Sequence, residues 1–122
     1  MTEVKRAARV AERLREELAS MVLTLRDPRL AGVLVSRVEM TDDLLLARVY
    51  VRHELGAAEP EARRTILKGL EAASGRLRRE IGRAVNLRAV PSLRFYYDEG
   101  PDASQRIEEI LREIKDSGSG SG

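Results

Sequence analysis

The chain has no cysteine and no tryptophan, one histidine, and only 3% aromatic residues. Without cysteine there is no disulfide framework, no thiolate metal site and no cysteine nucleophile. His53 is the lone histidine, at the end of a predicted strand, with neither a second imidazole nor a thiolate to share a metal or a proton, so a catalytic or metal role has no support. No Gly-Lys-Ser phosphate loop occurs, which leaves nucleotide hydrolysis without a motif. Adjacent acids at Asp42 and Asp43 are turn formers between strands rather than a carboxylate pair. No enzyme and no cofactor are expected. No apolar run approaches membrane-spanning length, and the first residues are charged where a signal peptide would be apolar, so a cytoplasmic chain with no membrane contact is expected. Scarce aromatics also limit any mechanism that stacks several nucleic-acid bases on protein rings.

What the chain does have is charge in one place. Its 122 residues fit one domain with a modest core. Between Arg63 and Arg94 lie nine basic residues against two acids, Glu71 and Glu80, a local net charge of +7 in a chain whose total is +2. Surface helices usually mix both signs, so this asymmetry points to a polyanionic partner, nucleic acid first, with an acidic protein as the alternative. With few rings available, the backbone and shape of a folded RNA are the favoured target over an unstacked strand.

Periodicity predicts the elements in order. Ala7, Ala11, Leu14, Leu18, Met21, Val22 and Leu25 carry the spacing of an amphipathic helix from residue 3 to about 26, closed by Asp27-Pro28. Val33 to Met40 reads as a strand with one buried face, one parity being Leu34, Ser36, Val38 and Met40 and the other Val33, Val35, Arg37 and Glu39. A second strand from about Leu44 to His53 alternates Leu45, Ala47, Val49 and Val51 against Leu46, Arg48, Tyr50 and Arg52, and the pair forms an antiparallel hairpin. Pro60 opens a helix whose apolar register (Ile66, Leu67, Leu70, Ala73, Leu77, Ile81, Ala84, Val85) runs for about 25 residues, long enough that a break inside is expected. After Pro91, a third strand puts Leu93, Phe95 and Tyr97 on one side and Arg94 and Tyr96 on the other, the side of Arg48, Tyr50 and Arg52. Ile107, Ile110, Leu111 and Ile114 mark a final helix. A helical crossover between the second and third strands makes the sheet mixed, with helices over one face, an α+β fold.

On an ideal wheel the apolar residues of the long helix share one arc, and Lys68, Gly75, Arg79, Gly82 and Arg83 fall opposite. A helical glycine costs about 1 kcal/mol relative to alanine. Glycines on an outward face therefore mean a bend, a close approach by an RNA backbone, or a neighbouring helix that needs the room.

Taken together, Arg9-Val10, Asp27-Pro28-Arg29, Asp43-Leu44 leading to Ala47-Arg48-Val49-Tyr50-Val51, Ala73-Ser74-Gly75, and Leu87-Arg88 followed by Pro91-x-Leu93-x-Phe95-x-x-Asp98 resemble the bacterial ribosome-binding factor A family, from about Arg6 to Arg112. The resemblance implies a type II K-homology-like domain: helix, strand, strand, kinked helix and strand around a three-stranded mixed sheet, plus the C-terminal helix. It implies that an Ala-x-Gly kink, here Ala73, Ser74 and Gly75, replaces the Gly-x-x-Gly loop of ordinary K-homology domains. It also implies a non-enzymatic monomer that binds the small ribosomal subunit and its precursor rRNA in late maturation, with a link to growth in the cold. On that reading the RNA contacts are Arg64, Lys68, Ala73, Ser74, Gly75, Arg76, Arg78, Arg79, Arg83 and Arg88, with Lys5, Arg6 and Arg9 at the start of the first helix as a second patch. Many family members carry a longer charged tail, whereas Asp116 here leads straight into a repeat.

Ser117 to Gly122 is a perfect Ser-Gly repeat with nothing that can pack, a linker or an engineered scar, so the folded domain is expected to span 1–116. Trimming those six residues should leave the thermal midpoint unchanged; a fall of several degrees by calorimetry would mean that they pack.

Overall fold

A computed structural model of the protein describes residues 2–56 and 58–99. Helix α1 spans Thr2–Leu23, strand β1 Val33–Met40, β2 Leu46–His53, helix α2 Pro60–Ala84 and β3 Ser92–Tyr97. The sheet order is β1-β2-β3, with β1 and β2 antiparallel and β2 and β3 parallel, as the helical crossover requires. The fold is α+β with a mixed sheet. The helix expected at Ile107 to Ile114 and the Ser-Gly repeat lie outside the described residues.

Both helices bury their apolar arcs on one face of the sheet. Leu14 and Leu18 from α1 and Leu70, Leu77 and Ile81 from α2 are fully buried with Ala47, Val49 and Val51 of β2. Leu93, Phe95 and Tyr97 of β3 pack against this cluster, so the alternation of the third strand is realised as expected. Truncating a buried leucine here to alanine costs about 2–5 kcal/mol, through the apolar transfer energy forfeited and the cavity left behind.

Chain reversals are fixed by short-range polar chemistry. Helix α1 stops at Leu23, where the Thr24 hydroxyl donates to the Met21 carbonyl at 2.7 Å and satisfies one of the open acceptors of the last turn. Asp27 then caps a 3-10 turn, Pro28–Leu30, by accepting the Arg29 backbone N–H at 2.9 Å. The Arg29 side chain adds a second clasp, and these hydrogen bonds hold the Asp27 carboxyl below its ordinary range. The turn delivers Leu30 into the core, and α2 lies so close to it that a Cβ on Gly69 would stand 3.0 Å from Leu30. Between β1 and β2, Asp43 is the turn former: its Oδ1 accepts from the Thr41 hydroxyl at 2.7 Å and from the Leu45 N–H at 3.0 Å, which lowers its carboxyl range. These bonds hold Leu44 at φ 62, a conformation that L side chains rarely adopt.

Three expectations need correction. The second strand begins at Leu46, and Leu45 is 60% exposed, because the positive φ at Leu44 turns the chain before the alternation starts. Strand β1 does not keep one parity inward. Val35 pairs with Val51 but Arg37 with Tyr50, so Ser36 is an extra residue, a β-bulge. Val33 and Val35 pack on the core before it and Val38 and Met40 after it. The bulge is pinned across the sheet, with the Ser36 hydroxyl 2.6 Å from Asp98 Oδ2 and 3.1 Å from the Tyr50 carbonyl.

The third concerns α2, which runs as one helix through Ala73, Ser74 and Gly75 for 25 residues in place of the expected break. The apolar register carries across Gly75, so Leu70 and Leu77 both reach the core and their burial outweighs the glycine's cost. Pro60 at the first position, Glu61 in the first turn and Arg83 in the last complete a favourable helix. Gly75 does face outward, since an added Cβ would meet only Arg79 Nη1 at 3.8 Å. Gly82 is different: Val90 folds back so that a Cβ there would lie 3.1 Å from its Cγ2.

Two glycine substitutions should therefore move stability in opposite directions. Gly75→Ala adds a methyl in open helical space and should raise the unfolding free energy by about 0.4–1 kcal/mol in chemical denaturation. Gly32 has φ 80 and its Cβ would sit 2.6 Å from His53 Nε2, so Gly32→Ala should lower it by more than about 1 kcal/mol.

Candidate nucleic-acid interface

Helix α2 sorts the basic window by geometry. Arg64, Lys68, Arg79 and Arg83 are exposed, and with Gly75 they follow one outward stripe opposite the buried arc. At about 1.5 Å per residue the stripe is roughly 28 Å long. Among the described residues no carboxylate stands within ion-pair distance of these four side chains. Excess positive potential along a helix is what a phosphate backbone neutralises.

Other basic residues of the window are already engaged. Arg76 pairs with Glu80 at 3.2 Å one turn on. Arg78 donates from Nε to the Pro91 carbonyl at 3.1 Å and from Nη2 to the Val90 carbonyl at 3.2 Å, so it clasps the segment that leads into β3. Arg63 donates to the Ala58 carbonyl at 2.8 Å, pairs with Glu99 and lies over the Tyr97 ring at 4.7 Å. Ala73 packs against the core, and Ser74 is half-buried. Of the expected kink residues, only Gly75 is on the outer surface.

Lys5, Arg6 and Arg9 are exposed on the first turns of α1. That end of α1 comes beside the end of α2: Arg13 Nη2 reaches the Ala84 carbonyl at 3.4 Å, and Arg6 and Arg88 line a cavity of about 530 Å³ with Leu45 and Leu87. Asp42 and Asp43 share its rim, which makes the cavity a poor anion site. Arg83 and Arg88 near the end of α2 are thus neighbours of the α1 patch, while Arg64 and Lys68 extend the surface toward the other end of the molecule.

The single histidine is structural. The Leu55 N–H donates to Nδ1 at 3.1 Å, so the proton sits on Nε2, which donates to the Ala31 carbonyl at 3.0 Å. Among the described residues no group of His, Cys, Asp or Glu could hold a metal ion.

A second basic surface was not among the expected contacts. Arg48, Arg52, Arg94, Tyr50 and Tyr96 lie on the sheet face opposite the helices. Strand parity alone groups these residues. Their proximity depends on register, which pairs Arg48 with Arg94 and Tyr50 with Tyr96 across β2 and β3. The two tyrosines stack with centroids 5.3 Å apart and planes at 26°, and the Arg37 guanidinium lies 4.0 Å over the Tyr50 ring. Burial and the nearby Glu39 carboxylate push the Tyr50 phenol above its ordinary range.

Fold and surface define a small α+β domain with cationic faces. Comparison then places it. Residues 6–111 match the family model described as Ribosome-binding factor A, and the chain belongs to that family. A ribosome-binding factor A of Sorangium cellulosum is 70% identical over 117 residues, covering 96% of this chain and 94% of that protein. The crystal structure of ribosome-binding factor A from Thermus thermophilus superposes with a TM-score of 0.65 at 31% identity, over 75% of this chain and 93% of that one. A homology model of the Thermus thermophilus factor, fitted into the cryo-EM map of a 30S–RbfA complex, gives a TM-score of 0.60 at 30% identity, over 74% of this chain and 92% of that one.

The division of arginines is testable by stability alone. Arg78→Ala should cost about 1–2 kcal/mol in chemical denaturation, because it leaves two carbonyls without their charged donor. Arg79→Ala, one residue on and facing water, should stay within about 0.5 kcal/mol of the parent protein.

Proposed function

We propose that this protein binds the small ribosomal subunit and its precursor rRNA, and that it acts in late maturation of that subunit as a monomer of residues 1–116 without a cofactor. The observation that carries the reading is the outward stripe of α2, where Arg64, Lys68, Arg79 and Arg83 have no described carboxylate partner around the bare backbone of Gly75. Membership of a family named for ribosome binding supports it, as does the relative fitted into a map of a 30S complex.

The chemistry of the stripe is that of phosphate contact. Arginine and lysine fix position and orientation on a polyanion and supply little sequence reading, so specificity comes from the shape of the RNA. Lys5, Arg6, Arg9 and Arg88 extend the same surface past the end of α2. Gly75 lets a phosphate or sugar approach the helix backbone where a side chain would hold it off.

Replacing Lys68, Arg79 and Arg83 together by alanine should weaken co-sedimentation with immature small subunits and flatten its salt dependence by roughly 0.7–0.9 log units for each phosphate left unneutralised, with stability nearly unchanged. Gly75→Ala should weaken the same co-sedimentation while making the fold more stable. Pull-down with and without ribonuclease checks the partner's nature: capture that survives digestion would identify an acidic protein as the target of the basic face.

A further inference from the structure

The sheet face opposite the helices carries more unneutralised charge than a solvated surface requires. Arg48 and Arg94 are directly paired neighbours on parallel strands, and like charges side by side destabilise a sheet. The acid that the register sets opposite Arg48 is occupied: Glu39 accepts from Arg37 at 2.8 Å and from the Tyr50 hydroxyl at 3.3 Å. Among the described residues no carboxylate lies within ion-pair distance of Arg48, Arg52 or Arg94.

Beside these arginines runs a column of planar groups. The Arg37 guanidinium covers Tyr50, Tyr50 stacks on Tyr96, and Tyr96 ends the column on β3, a strand paired on one side only. Tyr96 is 36% exposed. A flat, polarisable ring at the end of such a column, flanked by cations, matches a nucleobase joined to phosphates. An acidic peptide would satisfy the arginines but offers nothing planar to the ring.

We propose that this face is a second RNA-binding surface, on which one base of a single-stranded segment stacks on Tyr96 while Arg48, Arg94 and Arg52 hold the adjoining phosphates. The assignment takes from the proposed function only that the partner contains RNA. Composition excludes a platform for many bases, and register supplies one for a single base. The surface lies on the far side of the sheet from α2, so the two sites are separable by mutation.

The test is binding of the full chain to a labelled short oligouridine, followed by anisotropy over a range of salt. Tyr96→Ala should weaken binding by about 5- to 100-fold, the range expected for one base stack, and Tyr96→Phe, which keeps the ring, should bind like the parent. The double variant Arg48→Gln/Arg94→Gln should lower the salt slope by up to about 1.4, at 0.7 for each single-strand phosphate. The Lys68, Arg79 and Arg83 alanine variant should keep all three results. Thermal unfolding of each variant confirms that the fold survives. Unchanged oligouridine binding in both sheet-face variants would overturn the proposal and leave the α2 reading standing. Competition by polyglutamate as effective as that by unlabelled RNA would overturn it in favour of an acidic protein. Normal subunit co-sedimentation by the α2 variant would instead count against the helix stripe alone.

Discussion

Everything in this domain follows from the burial of one face of a three-stranded sheet under two helices. Ala47, Val49 and Val51 of the central strand are completely shielded, and Leu14, Leu18, Leu70, Leu77 and Ile81 close over them. Both described helices pack on that one side of the sheet. Most of the large apolar side chains go to that side, and the charged ones lie on two outer surfaces, the backs of the helices and the sheet face that no described helix covers. The strand period of two then decides which arginines and tyrosines meet there.

The β-bulge at Ser36 shows how strong that constraint is. An uninterrupted β1 would have to bury either Val33 and Val35 or Val38 and Met40 and expose the others. One extra residue lets both pairs reach the core. It also leaves a seryl hydroxyl in the middle of the sheet, and Asp98, past the end of β3, accepts its hydrogen bond at 2.6 Å. Asp98 thereby ties the first strand to the third across the second. Its place in the motif that begins at Pro91 is thus accounted for by packing, with no need of a binding role.

Periodicity made the element order, the mixed sheet and most of the core legible, because those depend on averages over many residues. Single positions were less so. Leu45 read as an inward strand residue because its parity is right, but parity says nothing about the positive φ at Leu44. Length suggested a break somewhere inside α2; continuous packing along its apolar arc keeps it one helix. Charge counting showed where the positive field lies but not which arginines are committed to carbonyls or carboxylates. Arg63, Arg76 and Arg78 differ from Arg79 and Arg83 only in what the fold brings within reach of them.

That division bears on what kind of RNA would fit both proposed surfaces. Among the described residues the outward stripe of α2 and the uncovered face of the sheet lie on opposite sides of two layers, so one straight duplex would touch one of them and leave the other in solvent. A partner that engages both must present phosphates on two sides of a cleft, one rigid enough to match a helix of about 25 residues and one loose enough to splay a base onto Tyr96. Folded RNA in which helices flank single-stranded joins has that form, and its recognition by shape suits a protein with many cations and few aromatic rings.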